Sequence, residues 1–449
     1  MIINNNNIFS LKFVLIGLIP FLCTCITQQK KRINNNDYYV NTNIKEEKVE
    51  EIKNLFYNQE IISQDLKSLT FSTRSLILAE PCYNLGSGNP VDIKFDLLRK
   101  NPETIQYELI HCDRKWNKSY ISSMNAIDGF DVNYIENQNI SYGSVEQYIN
   151  YSFRIPNENT NFLISGNFII KIYVEGENEN PLALIKFFVS EQISNLKFKI
   201  DESSNVEQSK YLQSYELECS YNPNNIMDPF SNIYINIQQN HQDFDQQWIS
   251  GPSFIKENKL VFLPSDSQTF NGGNEFRFFD MSSFRIGSQK IDKIYFNDTT
   301  FQILLKEDEK RSFKQYLQYN EMNGRFFIRT YDNDQADFQS EYGWVLFRLP
   351  MRKLVNDSIY IYGQISNWAI DDRFLMKYDS LSKSYFNKSI LKQGYYNYIY
   401  VVKNSQGIST RKIEGSHFET SNEYVVKIYY EDPLNLYDRI LCYNLVKSN

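Results

Sequence analysis

Short apolar runs separated by turn-forming residues fill most of this chain from Leu69 onward, and this pattern limits the fold more than any other feature. Runs such as PVDIKFDLL (90–98) and IQYELIHC (105–112) alternate apolar and polar side chains, which is the period of a half-buried strand. Asn, Asp, Gly and Pro lie between the runs. No helical period of 3.6 residues continues for more than a few turns. The sequence therefore predicts an all-β chain built from antiparallel sandwiches.

The runs fall into three sets. The chain has 449 residues, which is too long for one sandwich at about 100–200 residues per domain. We predict three tandem immunoglobulin-like or early-set β-sandwiches over residues 65–191, 192–312 and 313–449. The first set is expected to begin with the run RSLILAE (74–80), and the charged stretch KEDEKRSF (306–313) separates the second set from the third.

The N-terminus has the pattern of a secretory signal peptide. Lys12 precedes an apolar run over 13–22, which is shorter than the roughly 20 residues needed to span a bilayer. The following Leu-Cys-Thr-Cys resembles a bacterial lipobox, although Thr24 replaces the usual small residue. We predict a lipoprotein signal peptide over 1–24 and lipidation of Cys25. The alternative is simple cleavage, which leaves a soluble periplasmic protein.

Polar and charged residues dominate the segment after Cys25, and we predict a polar tether over 25–64. The remaining cysteines are Cys82, Cys112, Cys219 and Cys442, whose spacing is irregular. An oxidising compartment permits disulfides, but this spacing does not require any.

Composition excludes some classes of function. The net charge is −7 and no long Lys/Arg run is present, whereas a nucleic-acid-binding protein needs a basic face. The hydrophobic content of 42% is enough for several cores and is too high for a disordered chain. We therefore expect a folded protein that does not bind nucleic acid.

Residues that could carry catalysis do not form a recognisable constellation. His111 and Cys112 are adjacent in an alternating run, so their side chains are expected on opposite faces of a strand. The histidines His111, His241 and His417 do not have the spacing of a zinc site. Asp243 and Asp245 lack the remaining residues of an EF-hand loop, and a loose surface calcium site there is the alternative. We predict no enzyme activity, no cofactor and no small-molecule substrate.

The stretch NGGN (271–274) could be mistaken for a phosphate-binding loop. The residues EFRFF (275–279) follow it and alternate like a strand, whereas a phosphate loop opens a helix with Gly-Lys-Ser/Thr. We interpret the two glycines as a turn with positive φ or as a site of close backbone approach. Arg277 is expected to pair locally with Glu275 or Asp280.

The stretch IYIYGQISNW (359–368) resembles the beginning of glycogen- and starch-binding β-sandwiches. In that family a Trp at the position of Trp368 forms a sugar-stacking platform with a second Trp and a Lys. The Lys position corresponds to Ile399 here, and no Trp follows Trp368. We interpret Trp368 as a structural residue. A glycan-binding lipoprotein that uses the C-terminal sandwich is the alternative function.

Several stretches in order resemble the plug proteins of the Bacteroidota type IX secretion system, and the resemblance covers about residues 65–449. Four of the eleven stretches are NLGSGNPVDIKFDLL (84–98), YELIHCDRKW (107–116), FNGGNEFRFFD (270–280) and IEGSHFET (413–420).

The resemblance implies a non-enzymatic periplasmic protein that occludes the giant outer-membrane β-barrel translocon when it is idle. With the predicted anchor at Cys25, the chain would lie at the inner face of the outer membrane. The sequence does not predict which residues contact the translocon. The loops that carry Trp116, Trp248 and Arg277 are places to examine.

Overall fold

Nearly all regular structure in this protein is strand, as the alternating runs predict. The computed structural model describes residues 59–203, 205, 207–263 and 268–448. The predicted signal peptide over 1–24, the predicted lipidation site Cys25 and most of the tether lie outside the described residues. Within the described ranges, no helix is long and apolar enough to cross a bilayer.

The first sandwich contains the strands between residues 60 and 190. Its strands are β1 (Glu60–Ile61), β2 (Leu66–Ser72), β3 (Cys82–Asn84), β4 (Val91–Leu97), β5 (Ile105–Cys112), β6 (Ile127–Gly129), β7 (Val132–Tyr134), β8 (Asn137–Ile140), β9 (Ile149–Ile155), β10 (Thr160–Phe162), β11 (Gly166–Val174) and β12 (Ala183–Ser190). One sheet has the order β1-β12-β11-β5-β7, with β3 parallel to β12, and a second has the order β2-β4-β9-β8. Strands β6 and β10 form a separate pair. Buried Phe95, Tyr151 and Phe187 belong to the core of this sandwich.

The second sandwich combines two distant parts of the chain. Its strands are β13 (Leu196–Glu202), β14 (Leu212–Ser220), β15 (Ile233–Gln239), β16 (Gln247–Ser250), β17 (Phe254–Lys256), β18 (Lys259–Phe262), β19 (Thr269–Asn271), β30 (Glu423–Asp432) and β31 (Tyr437–Lys447). One sheet has the order β13-β14-β18-β17, with β19 beside β14, and the other has the order β16-β15-β30-β31. Leu217, Ile235 and Ile428 share its core.

The third sandwich is a single sheet whose strands surround one core. Its strands are β20 (Arg277–Asp280), β21 (Ile291–Phe296), β22 (Phe301–Leu305), β23 (Phe326–Ile328), β24 (Tyr342–Pro350), β25 (Ser358–Tyr362), β26 (Leu375–Asp379), β27 (Ser384–Lys392), β28 (Gly394–Asn404) and β29 (Gly407–Ser409). The main order is β20-β28-β25-β26-β27-β24-β22-β21, and β23 and β29 also pair with β28. Val345, Ile361 and Tyr400 lie in this core.

Helical turns are short and lie in the connections. The α-helices are α1 (Ser123–Ala126), α2 (Pro229–Asn232), α3 (Ala336–Gln339) and α4 (Arg411–Glu414), and 3₁₀-helices occupy Asp243–Asp245, Gln364–Ser366 and Asp372–Phe374. The sequence shows no sustained helical period, and the helices that the structure describes are only three or four residues long.

The sheets interleave in a way that differs from the predicted boundaries at 192–312 and 313–449. Strands β20 to β22 lie before residue 312 but belong to the third sandwich. Strands β30 and β31 lie at the C-terminal end but belong to the second sandwich, where β30 pairs with β15 and β31 pairs with β30. The predicted strand at 74–80 is irregular, with Leu76 and Ile77 exposed. Apolar alternation identifies which face of a strand is buried, but it does not identify the neighbouring strand.

The sandwiches contact one another through the outer faces of their sheets. Phe188 of β12 packs with Tyr429 of β30 and Tyr443 of β31, which joins the first sandwich to the second. Phe244, in the 3₁₀-helix after β15, packs against Tyr362 of the third sandwich. Where these contacts end, a cleft remains between the three sandwiches.

Candidate functional site at the junction of three sandwiches

The junction cleft is a cavity of about 570 Å³ lined by residues from all three sandwiches. Lys186 of β12 comes from the first sandwich, Lys427 of β30 from the second, and Trp368 from the third. A volume of this size lies within the usual range of ligand pockets, which often form at domain interfaces. The cleft is therefore the candidate functional site.

A row of side chains across three neighbouring strands forms the floor of the cleft. Trp248 of β16 lies opposite Asn236 of β15, and Asn236 lies opposite Lys427 of β30. Directly opposed residues in a sheet project to the same face. The row therefore places an indole, an amide and an amine side by side, and neighbouring strands are about 4.8 Å apart.

Lys427 is buried at this floor, with 4% of its surface exposed. Its Nζ donates to Oε1 of Gln238 at 3.1 Å and lies 4.7 Å from the ring centre of Phe188. Among the described residues, no carboxylate lies within 4.0 Å of this amine. Burial lowers the pKa of Lys427 from its ordinary value to about 8, because a low-dielectric surrounding disfavours the charged form.

The second lysine of the cleft has a carboxylate partner. Lys186 Nζ donates to Asp243 at 2.9 Å, and Asp243 also accepts a hydrogen bond from Gln238. Lys186 Nζ lies 5.0 Å from the ring centre of Trp116. The charge of Lys186 is therefore balanced within the cleft.

Three indole rings line the cleft. Trp116, which has a φ of 68°, packs edge-on against Phe188, with 5.4 Å between ring centres. Trp368 lies 5.0 Å from His241 and is half-buried. Trp248 is 44% exposed and packs on one side against Tyr429. Trp248 is thus the most accessible aromatic surface of the three.

An ion-pair cluster at one wall connects the sandwiches. Arg325, before β23, donates to Glu80 of the first sandwich at 2.6 Å and to Glu423 of β30. Its guanidinium also lies 2.9 Å from Nε2 of His241. Burial lowers the pKa of His241 from its ordinary value, so the neutral ring can accept this hydrogen bond. Tyr443 donates to the other oxygen of Glu80 at 2.9 Å.

The residues considered for thiol chemistry lie in separate environments, as the alternating pattern predicts. Cys112 packs with Ile110 and Ile169, whereas His111 packs against Phe168 and bonds to Ser119 at 2.6 Å. Burial raises the pKa of Cys112 to about 12 and lowers that of His111 to about 4. The four described cysteines are free thiols.

The glycines of the stretch NGGN serve the turn that the sequence predicts. Gly273 has a φ of 68°. A Cβ added at Gly272 would lie 2.0 Å from the carbonyl oxygen of His417, which is closer than two non-bonded atoms can approach. Both the positive φ and the close backbone approach are therefore present.

Arg277 has different partners from those predicted. Its guanidinium donates to both oxygens of Glu414 at 3.0 Å and to Asp308 at 3.0 Å, and only 7% of the residue is exposed. The predicted partner Asp280 pairs with Arg329 instead. Arg277 is a buried structural cation. Its burial argues against a direct contact with the translocon, for which its loop was considered in the sequence analysis.

The acidic pair of the HQDFDQQW stretch does not converge on a metal site. Asp243 is engaged by Lys186, and burial raises the pKa of Asp245 to about 6. Across the described ranges, no group of three or more His, Cys, Asp or Glu side chains is arranged to hold an ion. His111, His241 and His417 lie in different parts of the fold.

Sequence reasoning selected Trp116, Trp248 and Trp368 for separate reasons, and the structure places all three at one cleft. It missed Lys186, Lys427 and Arg325. Lys427 could have been noticed because it interrupts the apolar run EYVVKIYYE (423–431). A charged residue on a buried strand is unusual.

Comparisons with known proteins agree with this architecture. Residues 66–191 match the family model described as "Type 9 secretion system plug protein 1st domain". A crystal structure of a hypothetical protein from Parabacteroides merdae ATCC 43184 has a TM-score of 0.85 and 26% sequence identity, and covers 88% of this chain and 100% of that chain. No curated protein matches. The predicted all-β sandwich fold is confirmed.

Proposed function

Because residues 66–191 match the family model of the first domain of type 9 secretion system plug proteins, we propose that this chain is a non-enzymatic plug. It closes the giant outer-membrane translocon of that system from the periplasmic side when the pore is idle. The family match, which itself indicates a role in type 9 secretion, is the observation that carries the proposal. The location in the periplasm and the lipid anchor at Cys25 are part of the same proposal.

Buried ion pairs between the sandwiches support a plug role. Arg325 connects the third sandwich to Glu80 of the first and to Glu423 of the second. Lys392 of the third sandwich pairs with Asp96 of the first at 2.6 Å. A body that closes a large pore must resist deformation, and contacts that hold three sandwiches together serve that purpose.

An anchor would increase the effect of a weak interface. Holding the protein at the inner face of the outer membrane raises its effective concentration near the pore, so a modest affinity gives high occupancy. The matched variants are Cys25→Ala and Cys23→Ala. We expect Cys25→Ala to move the protein to the soluble periplasmic fraction and Cys23→Ala to leave it in the membrane fraction. Equal release by both variants would contradict the anchor.

The plug role is tested by affinity capture from whole envelopes in mild detergent, together with a deletion strain. We expect capture of a very large outer-membrane β-barrel, and we expect the deletion strain to become permeable to a large hydrophilic antibiotic. Permeability should return to normal when the full chain is expressed again. Absence of such a barrel together with unchanged permeability would contradict the proposal.

A further inference from the structure

The unusual feature of the junction cleft is a buried amine, that of Lys427, which has no carboxylate within 4.0 Å among the described residues. Lys427 Nζ has three hydrogen-bond donors, and its acceptor among the described side chains is Oε1 of Gln238. A buried charge is costly unless a charged partner and hydrogen bonds compensate it. The chemical complement of this position is an anion.

The other two cations of the cleft, Lys186 and Arg325, are each in contact with a carboxylate. Lys186 is paired with Asp243, and Arg325 is paired with Glu80. Their charges cancel within the protein. Asp243 and Glu80 also act on Lys427 at longer range, but neither is in contact with its amine, so an entering anionic group would be its direct partner.

An apolar contact lies at a fixed distance from that amine. Trp248 lies two strands away from Lys427 in the same cross-strand row, at about 10 Å given the spacing of strands. Its half-exposed ring offers an apolar face, and aromatic rings of this kind anchor protein–protein contacts.

The cross-strand row favours an extended peptide that crosses the strands from Lys427 to Trp248. An extended chain advances about 3.3 Å per residue, so two side chains three residues apart can reach both ends of the row. The amide side chains of Asn236 and Gln238 offer further donors and acceptors along the floor.

We propose that the junction cleft binds an acidic peptide segment of a protein partner, with a carboxylate at Lys427 and an apolar side chain against Trp248. This binding is a property of the purified chain and does not depend on the plug role. A plug that failed to close a pore could still bind such a segment.

The test is a titration of the full chain with a fluorescein-labelled heptapeptide in which Glu alternates with Tyr. Its counterpart has Gln in place of Glu. We expect the Glu peptide to raise the fluorescence anisotropy and to bind at least tenfold more tightly than the Gln peptide. Equal binding of the two peptides, or no binding of the Glu peptide at millimolar concentration, would overturn the proposal.

Variants locate the site. Lys427→Met and Lys427→Gln should each weaken binding of the Glu peptide at least tenfold, whereas Lys388→Met, which removes an exposed lysine beside Trp344, should not. Thermal unfolding of each variant verifies that the fold is retained. Undiminished binding by both Lys427 variants would place the peptide elsewhere.

A glucan is the competing ligand. Maltoheptaose should leave the intrinsic tryptophan fluorescence unchanged and should not displace the Glu peptide. If maltoheptaose displaces the peptide and Trp368→Ala abolishes this effect, the cleft is a sugar site and the peptide proposal is wrong.

Discussion

Among the residues that the structure describes, two lysines are almost completely buried, yet their surroundings differ. Lys392 lies between the first and third sandwiches with 2% of its surface exposed, and Lys427 lies in the junction cleft with 4% exposed. Burial lowers the pKa of both amines. They differ in whether a carboxylate of the described residues is in direct contact with the amine.

Lys392 belongs to a complete network. Its Nζ donates to Asp96 and to the carbonyl of Asp337, each at 2.6 Å. Asp96 accepts additional hydrogen bonds from Asn150 and Tyr342, each at 2.7 Å. The positive charge and the negative charge therefore satisfy each other inside the molecule.

Lys427 has an amide where Lys392 has a carboxylate. Gln238 accepts one hydrogen bond from it but supplies no negative charge. The comparison separates two uses of a buried charge: a satisfied pair fixes the position of two domains, and an unsatisfied ion marks a site where a ligand can complete the network.

The largest expected effect is that of Lys392→Met. The substitution leaves Asp96 buried without its cation, and breaking a buried pair in this way costs about 3–5 kcal/mol. Urea unfolding of the full chain measures the loss. Lys388→Met, which removes an exposed lysine of the same strand, should change the free energy of unfolding by no more than about 0.5 kcal/mol. A loss below about 1 kcal/mol for Lys392→Met would remove the distinction between the two lysines.

The second effect concerns alkaline pH. The pKa of Lys427 is about 8 in the folded chain and about 10.5 when unfolded, so between these values the unfolded chain holds the additional proton. Stability contributed by this group therefore rises with pH across that window and is constant below it. The groups that act on Lys427 are Asp243, Lys186, Glu80 and Cys82.

Comparison of the wild type with Lys427→Met isolates this contribution, because the lowered pKa of Lys392 is common to both. Between pH 7.5 and 10, wild-type stability should rise relative to the variant by roughly 1–3 kcal/mol. Urea unfolding at the two pH values measures it. A constant difference between the two proteins would show that Lys427 titrates at its ordinary pKa.

The sequence predicted the fold class because alternation is local information. Most of the apolar runs form strands, and the turn at Gly272 and Gly273 follows from the residues themselves. The order of strands in the sheets was not predictable in the same way. Strands β30 and β15 pair across nearly 200 residues of sequence, and nothing in either run specifies the other.

The candidate site was only partly accessible from sequence for the same reason. Three tryptophans stood out individually, but the distance of each from Lys427 depends on how the sandwiches interleave. Arg277 illustrates why ion pairs could not be predicted from neighbouring residues. The sequence analysis paired it with Glu275 or Asp280, whereas its partner Glu414 lies 137 residues away. Charge pairs between domains depend on tertiary contacts that one sequence does not reveal.

A smaller effect is expected for Lys427→Met near neutral pH. Removing an ion that lacks a carboxylate partner relieves a desolvation cost, so the free energy of unfolding should rise by about 1 kcal/mol. Thermal and urea unfolding at pH 7 measure the change, which is opposite in sign to that of Lys392→Met. A loss of 2 kcal/mol or more would mean that Lys427 supports the fold as Lys392 does.

The smallest effect is expected for Trp248→Ala. The ring is half-exposed and packs on one side against Tyr429, so its removal should lower the free energy of unfolding by only about 0.5 kcal/mol. Trp368→Ala is the comparison, because that ring packs beside Phe276 and Tyr362, and its loss should cost about 2 kcal/mol. Urea unfolding of both variants at pH 7 measures the difference. If Trp248→Ala costs as much as Trp368→Ala, the ring is part of the core, and the cleft loses the accessible aromatic face that a peptide would need beside Lys427.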